Sequence, residues 1–188
     1  MKIAEKTNNL NIEFKPDRIK MIAGLGNPGA AYRHTYHNIG YLAIDFLSDQ
    51  EPESGWRRGN KFTYLRTGGW VFVKPAMFMN ESGEALKQAA KYFKVRPENL
   101  LVINDDSDLE IGKYKIGFGR GAAGHRGAAS VISSFKTNDF WRARIGARSQ
   151  PGKAGGFVLK KINPGDRKKI TAVFGDLKRL LTNPKNSD

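Results

Sequence analysis

Apolar positions recur along this chain with two different periods, and segments of the two kinds alternate. Between Asn38 and Asp49 they fall at Ile39, Leu42, Ala43, Phe46 and Leu47, the i, i+3, i+4, i+7, i+8 stripe of a helix that buries one face. The same spacing predicts a helix over Ser82–Lys94, with Ala85, Leu86, Ala89, Ala90 and Phe93 inward and Pro97 beyond its end. A last helix is predicted over Asp166–Leu181, and a shorter one over Ala128–Phe135. Between the helices stand strand-like runs. Ile19–Leu25 predicts a strand entering a glycine loop. Phe62–Arg66 and Trp70–Lys74, joined by Thr67, Gly68 and Gly69, predict a hairpin. Leu100–Ile103 is apolar throughout, as a strand covered on both faces would be. Tyr114–Phe118, Arg142–Ala147 and Phe157–Ile162 predict further strands or extended segments, and the polar residues 50–60, with Pro52 and Gly55, predict a loop. Strands alternating with helices, one hairpin inserted, define an α/β fold: a single domain with a mixed, mostly parallel sheet covered by helices on both faces.

A length of 188 residues fits that single domain. The pattern divides the chain into a polar, mobile tail over 1–18, the α/β domain over 19–182, and a short C-terminal tail over 183–188. The chain has no cysteine, which excludes disulfides, thiolate metal sites and a cysteine nucleophile and fits a reducing, cytoplasmic setting. No apolar run is long enough to span a bilayer, and residues 1–20 lack the apolar core of a signal peptide.

Charge changes the picture more. Lys and Arg number 32 against 18 Asp and Glu, a net charge of +14. Solubility needs a net magnitude of only about 2–8, so the excess points to a polyanionic partner, nucleic acid before anionic membrane.

Several segments carry candidate chemistry. Gly24 to Gly29 matches G-x-G-x-x-G after a strand, the pattern of a dinucleotide-binding turn. Its context does not fit, because the helix that should open on the third glycine begins nearly three turns later, beyond Pro28. Asn27 is still a polar amide at the carboxyl end of a strand, where α/β proteins bind ligands. His37 stands just before the first predicted helix, where the helix dipole favours a neutral imidazole able to accept a proton from water. A capping histidine would look the same, and only a partner separates the two. Asn104, Asp105, Asp106 and Asp108 follow the apolar strand and offer such a partner, or else form a solvated acidic turn. These acids could form a metal site, but no two histidines share metal-ligand spacing, and no metal is expected. Asn80 is either the N-cap of the second helix or an amide able to hold a carbonyl or water. Tyr32 and Phe78 are loop aromatics able to stack on a base. Lys113, Lys115, Arg120 and Arg126 lie on a glycine-rich frame, with Arg142, Arg144 and Arg148 following, and suit phosphate contacts.

Taken in order, GLGNPG, Tyr32, TYHNIG, KPAMFMNESG, NDDSDL, GHRG, RARIG and GFVL resemble the bacterial-type peptidyl-tRNA hydrolase family, from about Met21 to Ile162. The resemblance implies a single, usually monomeric α/β domain that cleaves the ester between a peptide and the 3′-terminal ribose of tRNA, without metal or cofactor. It implies that His37 activates water and that Asp105 orients His37. Asn27 would distinguish peptidyl-tRNA from aminoacyl-tRNA, and Asn80 would bind near the scissile ester. Tyr32 and Phe78 match substrate contacts, and Arg144 matches a tRNA contact. The sequence departs from the family at Arg126, where G-H-N-G has asparagine, and at Tyr36, where T-R-H-N has arginine. The last helix also stops early, near Leu181. With His37, Asp105, Asn27 and Asn80 retained, the expectation is an active enzyme. The alternative is a weak or inactive homologue that binds RNA.

Overall fold

The computed structural model describes residues 12–48, 55–148 and 157–182. The outer part of the N-terminal tail, most of the loop after the first helix and the C-terminal tail lie outside them. Seven strands form one sheet: β1 Met21–Gly24, β2 Arg57–Arg58, β3 Phe62–Thr67, β4 Trp70–Pro75, β5 Leu100–Glu110, β6 Tyr114–Phe118 and β7 Trp141–Arg148. Among the described residues four α-helices accompany them: α1 Ile39–Leu47, α2 Ser82–Phe93, α3 Arg126–Phe135 and α4 Pro164–Thr182.

The strand order is β2-β3-β4-β1-β5-β7-β6. The central strands β4, β1, β5 and β7 are parallel, and the flanking pairings β2–β3, β3–β4 and β7–β6 are antiparallel. The sheet is mixed as expected, with its parallel pairings at the centre. Strand alternation divides the core in two. Ile22, Leu101, Ile103, Ala143 and Ile145 face one side with residues of α1 and α4. Met21, Ala23, Leu100, Val102 and Phe140 face the other with residues of α2 and α3. In α1, α2 and α4 the predicted stripe faces the core, with Leu42, Phe46, Phe93 and Leu180 only partly buried.

The predicted glycine turn between β3 and β4 forms, with Gly68 and Gly69 both at positive φ. The glycines of GLGNPG do different work. A Cβ on Gly24 would stand 2.1 Å from the carbonyl oxygen of Gly40, and one on Gly40 would stand 2.4 Å from the Leu25 nitrogen. These two glycines let α1 lie directly on β1. Since α1 opens only at Ile39, the helix that follows the loop does not present its N-terminus to it, and the dinucleotide reading fails on geometry.

Four other expectations are corrected. The strand beginning at Leu100 continues to Glu110, so the acids after Ile103 lie within it; pairing with β7 overrides their weak strand propensity. Residues 157–160 form a turn rather than a strand, with a single bridge from Lys161 to Thr35. Their backbone bonds go to the His37 segment: the Tyr36 and His37 amides donate to the carbonyls of Lys160 and Val158. Arg57 and Arg58, inside the predicted loop, form a short edge strand whose exposed charges discourage further pairing. Finally, the body of the fold reaches back past residue 19. Pro16 is buried in a helical turn, and the Phe14 ring packs edge-on against Trp141 at 4.9 Å.

Candidate active site at the end of the parallel strands

Strand β1 stops at Gly24, opposite Ile103, so from Asn104 onward β5 has a neighbour only on its β7 side. The vacated space is a cavity of about 530 Å³, within the usual range for ligand sites. Its wall includes Asn27, His37, Asn80, Asp105, His125 and Arg126.

His37 sits in the helical turn Tyr36–Asn38 that leads into α1. Its Nδ1 lies 3.0 and 3.1 Å from the two carboxylate oxygens of Asp105, whose side chain is almost wholly buried. This supplies the partner that the sequence left open among four candidates. His125, at the N-cap of α3, approaches the same carboxylate from another side, its Nε2 2.9 Å from Asp105 Oδ1. Burial alone would raise the pKa of Asp105. The two histidines, His125 before His37, outweigh it and hold the carboxyl well below the usual range. The segment carrying His37 is held from behind, where the Tyr36 hydroxyl donates to Asp166 Oδ2 at 2.6 Å and ties it to the start of α4.

Asn27 is locked by its surroundings. Its side-chain oxygen accepts from the Met79 N–H at 2.8 Å. Its backbone N–H donates to Asn38 Oδ1, and its carbonyl accepts from Asn38 Nδ2, each at 2.9 Å. With its oxygen occupied, Asn27 has its NH₂ group left to offer a ligand. Asn80 is exposed on the turn Met79–Glu81. The N-cap of α2 is Glu81, so the capping reading of Asn80 does not hold and its amide borders the cavity. Phe78 is 53% exposed on the rim, and Tyr32 stands edge-on to it with ring centres 6.4 Å apart.

The basic residues divide. Arg126 and Arg144 border the cavity, whereas Lys113, Lys115 and Arg120 lie outside its wall. Lys115 stands directly across the β6–β7 ladder from Arg144, and Lys113 pairs with Glu110 at 2.6 Å. Arg144 donates to Asp106 at 3.1 Å. Arg142, grouped with the surface cations on sequence, is 1% exposed. Burial, then neighbouring Arg144, brings it down to about 10 against the pull of Asp106. Its Nε and Nη1 have no hydrogen-bond partner among the described residues, and the side chain borders the cavity.

Three contributors escaped the sequence reading. His125 stood in GHRG with nothing to say where it pointed. Asn38 adjoins His37, and that adjacency was a signal that it belonged to the site. Arg142 looked like its exposed neighbours, although strand alternation with Phe140 could have shown that it points inward. The structure also gathers His37, Asp105 and His125, with one ligand atom from each within 4.8 Å of the others, which chain spacing did not reveal.

The fold and the site define an α/β protein with a histidine–carboxylate centre at the carboxyl end of parallel strands. Within that class the chain belongs to the peptidyl-tRNA hydrolase family, whose model matches residues 21–184. It is 38% identical over 160 residues to the peptidyl-tRNA hydrolase of Mycobacterium tuberculosis, covering 81% of this chain and 84% of that protein. It is 37% identical over 161 residues to that of Mycolicibacterium gilvum, covering 82% and 84%. The crystal structure of peptidyl-tRNA hydrolase from Acinetobacter baumannii superposes with a TM-score of 0.77 at 26% identity, covering 89% of this chain and 90% of that one.

Proposed function

We propose that this chain hydrolyses the ester joining a peptide to the 3′-terminal ribose of tRNA, with His37 as general base and no metal or cofactor. The observation that carries the reading is the His37–Asp105 pair beside a cavity bordered by the amides of Asn27 and Asn80. Asp105 accepts the Nδ1–H of His37, which leaves Nε2 as the basic nitrogen. A water on Nε2 loses its proton to the ring as its oxygen attacks the ester carbonyl. Asn27 and Asn80 offer N–H donors to the carbonyl oxygen as it takes on negative charge. The imidazolium, stabilised by Asp105, then returns the proton to the departing ribose oxygen, freeing the peptide acid and the tRNA.

Tyr32 and Phe78 form an aromatic rim on which a terminal base can stack, and Lys113, Lys115, Arg120 and Arg144 supply phosphate contacts along β6 and β7. The net charge of +14 fits a tRNA partner. Among the described residues no helix is long and apolar enough to cross a membrane. The reading extends to a cytoplasmic monomer.

Incubation with peptidyl-tRNA and free aminoacyl-tRNA side by side tests this, with release expected from the first alone. Positioned general bases contribute about 10²–10⁴-fold, so His37→Ala should lose at least that much while still binding tRNA. The wild-type rate should rise with pH, since the base acts only when unprotonated. Tight tRNA binding without turnover would instead favour the RNA-binding homologue.

A further inference from the structure

The Asp105 carboxylate has a second nitrogen donor, and the geometry at α3 determines which proton that donor carries. His125 is the N-cap of α3, and its Nδ1 accepts the Ala128 backbone N–H at 3.1 Å. A nitrogen that accepts a hydrogen bond carries no proton, so a neutral His125 is protonated at Nε2. That is the nitrogen 2.9 Å from Asp105 Oδ1. The two rings lie with centres 5.0 Å apart, both turned to the same acid.

We propose that His125 is a positioning residue for the hydrolysis: it transmits the orientation of α3 to Asp105, and through Asp105 it sets the tautomer and basicity of His37. The proposal rests on His37 being the base.

The chemistry follows from what a buried carboxylate can accept. Asp105 is almost wholly enclosed, and its charge is tolerable there because N–H groups surround it. With two donors its charge is shared between them. With only one, the full charge bears on His37, holds a proton on that ring more firmly, and leaves Nε2 free only at higher pH. The carboxylate would also be fixed from one side only, so the ring it orients would wander from the line of attack. Ligation of a metal by the three residues is a poorer use of the same atoms. It needs the Nε2 lone pair of His125, which would move the proton to Nδ1 and set it against the Ala128 N–H. The other charged groups around the cavity are Asp106 and Asp108 on β5, Arg126 at the start of α3, and Arg142 and Arg144 on β7. Arg144 is engaged by Asp106, and His125 is the ring that meets Asp105 beside His37.

Two substitutions separate the functions of the ring. An asparagine places its oxygen near the position of Nδ1 and is among the best N-caps, but it is too short to reach Asp105. A glutamine places its NH₂ near the position of Nε2. His125→Asn should therefore keep the melting temperature near wild type, lower kcat about tenfold with little change in KM, and move the midpoint of the pH–rate profile upward by about half to one unit. His125→Gln should recover most of the rate and the wild-type midpoint. In the unmodified protein, nitrogen-15 NMR of the imidazoles should show His125 protonated at Nε2 and His37 at Nδ1. A wild-type kcat and midpoint in His125→Asn would overturn the proposal, and so would a proton on Nδ1 of His125, which is read on the unmodified protein even if neither variant can be purified. If His37→Ala hydrolysed peptidyl-tRNA normally, the general-base reading itself would fail, a result distinct from either of these.

Discussion

Asp105 and Asp106 are neighbours on one strand, both nearly buried, and they lead different lives. Strand alternation sends their side chains to opposite sides of the sheet. Asp105 meets two histidines. Asp106 meets Arg144, and its Oδ1 also accepts the Asp108 N–H at 2.8 Å. The first acid is paired with rings that gain and lose a proton, the second with a guanidinium that never does. Equal burial and equal charge therefore do not define a role; what each carboxylate accepts from defines it. In the proposed reaction Asp105 serves the chemistry, whereas Asp106 balances the cations that β7 carries into the sheet.

The sharpest test of that contrast is a pair of isosteric changes. Asp105→Asn should lower kcat by about 10²-fold or more, since the amide no longer stabilises a charged imidazole. Asp106→Asn should leave kcat within about threefold and instead lower the melting temperature, because Arg142 and Arg144 lose their acid. Equal kinetic losses in the two variants would erase the distinction.

Salt probes the cationic side. With a few phosphate contacts, log affinity for tRNA should fall with log salt at roughly 0.7–0.9 per contact. The contacts should come from Lys113, Lys115, Arg120, Arg126 and Arg144, and buried Arg142 is withdrawn from that group. A salt-independent affinity would mean the positive charge is not used for RNA.

Arg126 borders the cavity shared by both acids and offers only donors, where asparagine would offer a donor and an acceptor. Its charge also disfavours the imidazolium formed at His37. Arg126→Asn is expected to raise kcat several-fold while weakening affinity at low salt, the slope shrinking by about one contact. A fall in kcat would show that the arginine has been taken into the reaction.

Asp105 should be among the last carboxylates to take up a proton as pH falls. The folded-state pKa of Asp105 lies below its unfolded value, so its contribution to stability is full above the ordinary aspartate range and is lost as pH falls through and below it. In urea melts from pH 6 downward, Asp105→Asn should flatten the acid decline, and an unchanged decline would discount the carboxylate's part.

The smallest effect is expected at the N-terminal tail. Removal of residues 1–13 should change neither kcat nor stability measurably. Removal through Arg18 should lower stability through loss of the Phe14–Trp141 contact and buried Pro16, with kcat kept. A large loss of kcat on the shorter truncation would tie the tail to the site.

The helices and most strands were legible in the sequence because their signal is local. Ile39, Ala43 and Leu47 announce a buried stripe, and Gly68-Gly69 announces a turn, whatever else the chain does. The order of motifs also carried His37, Asp105, Asn27 and Asn80, since a resemblance over most of the chain needs no geometry. What stayed hidden depends on partners distant in sequence. Strand β5 runs on through its acids only because β7 lies beside it. Residues 157–160 look extended yet turn back because their carbonyls are taken by the His37 segment. His125 became a partner of Asp105, twenty residues away, only when α3 began where its ring could cap the helix and reach the acid together. Periodicity states which face of an element is buried. The angle and distance at which two elements meet follow from packing of the whole, and that packing alone chose which histidine nitrogen faces which oxygen.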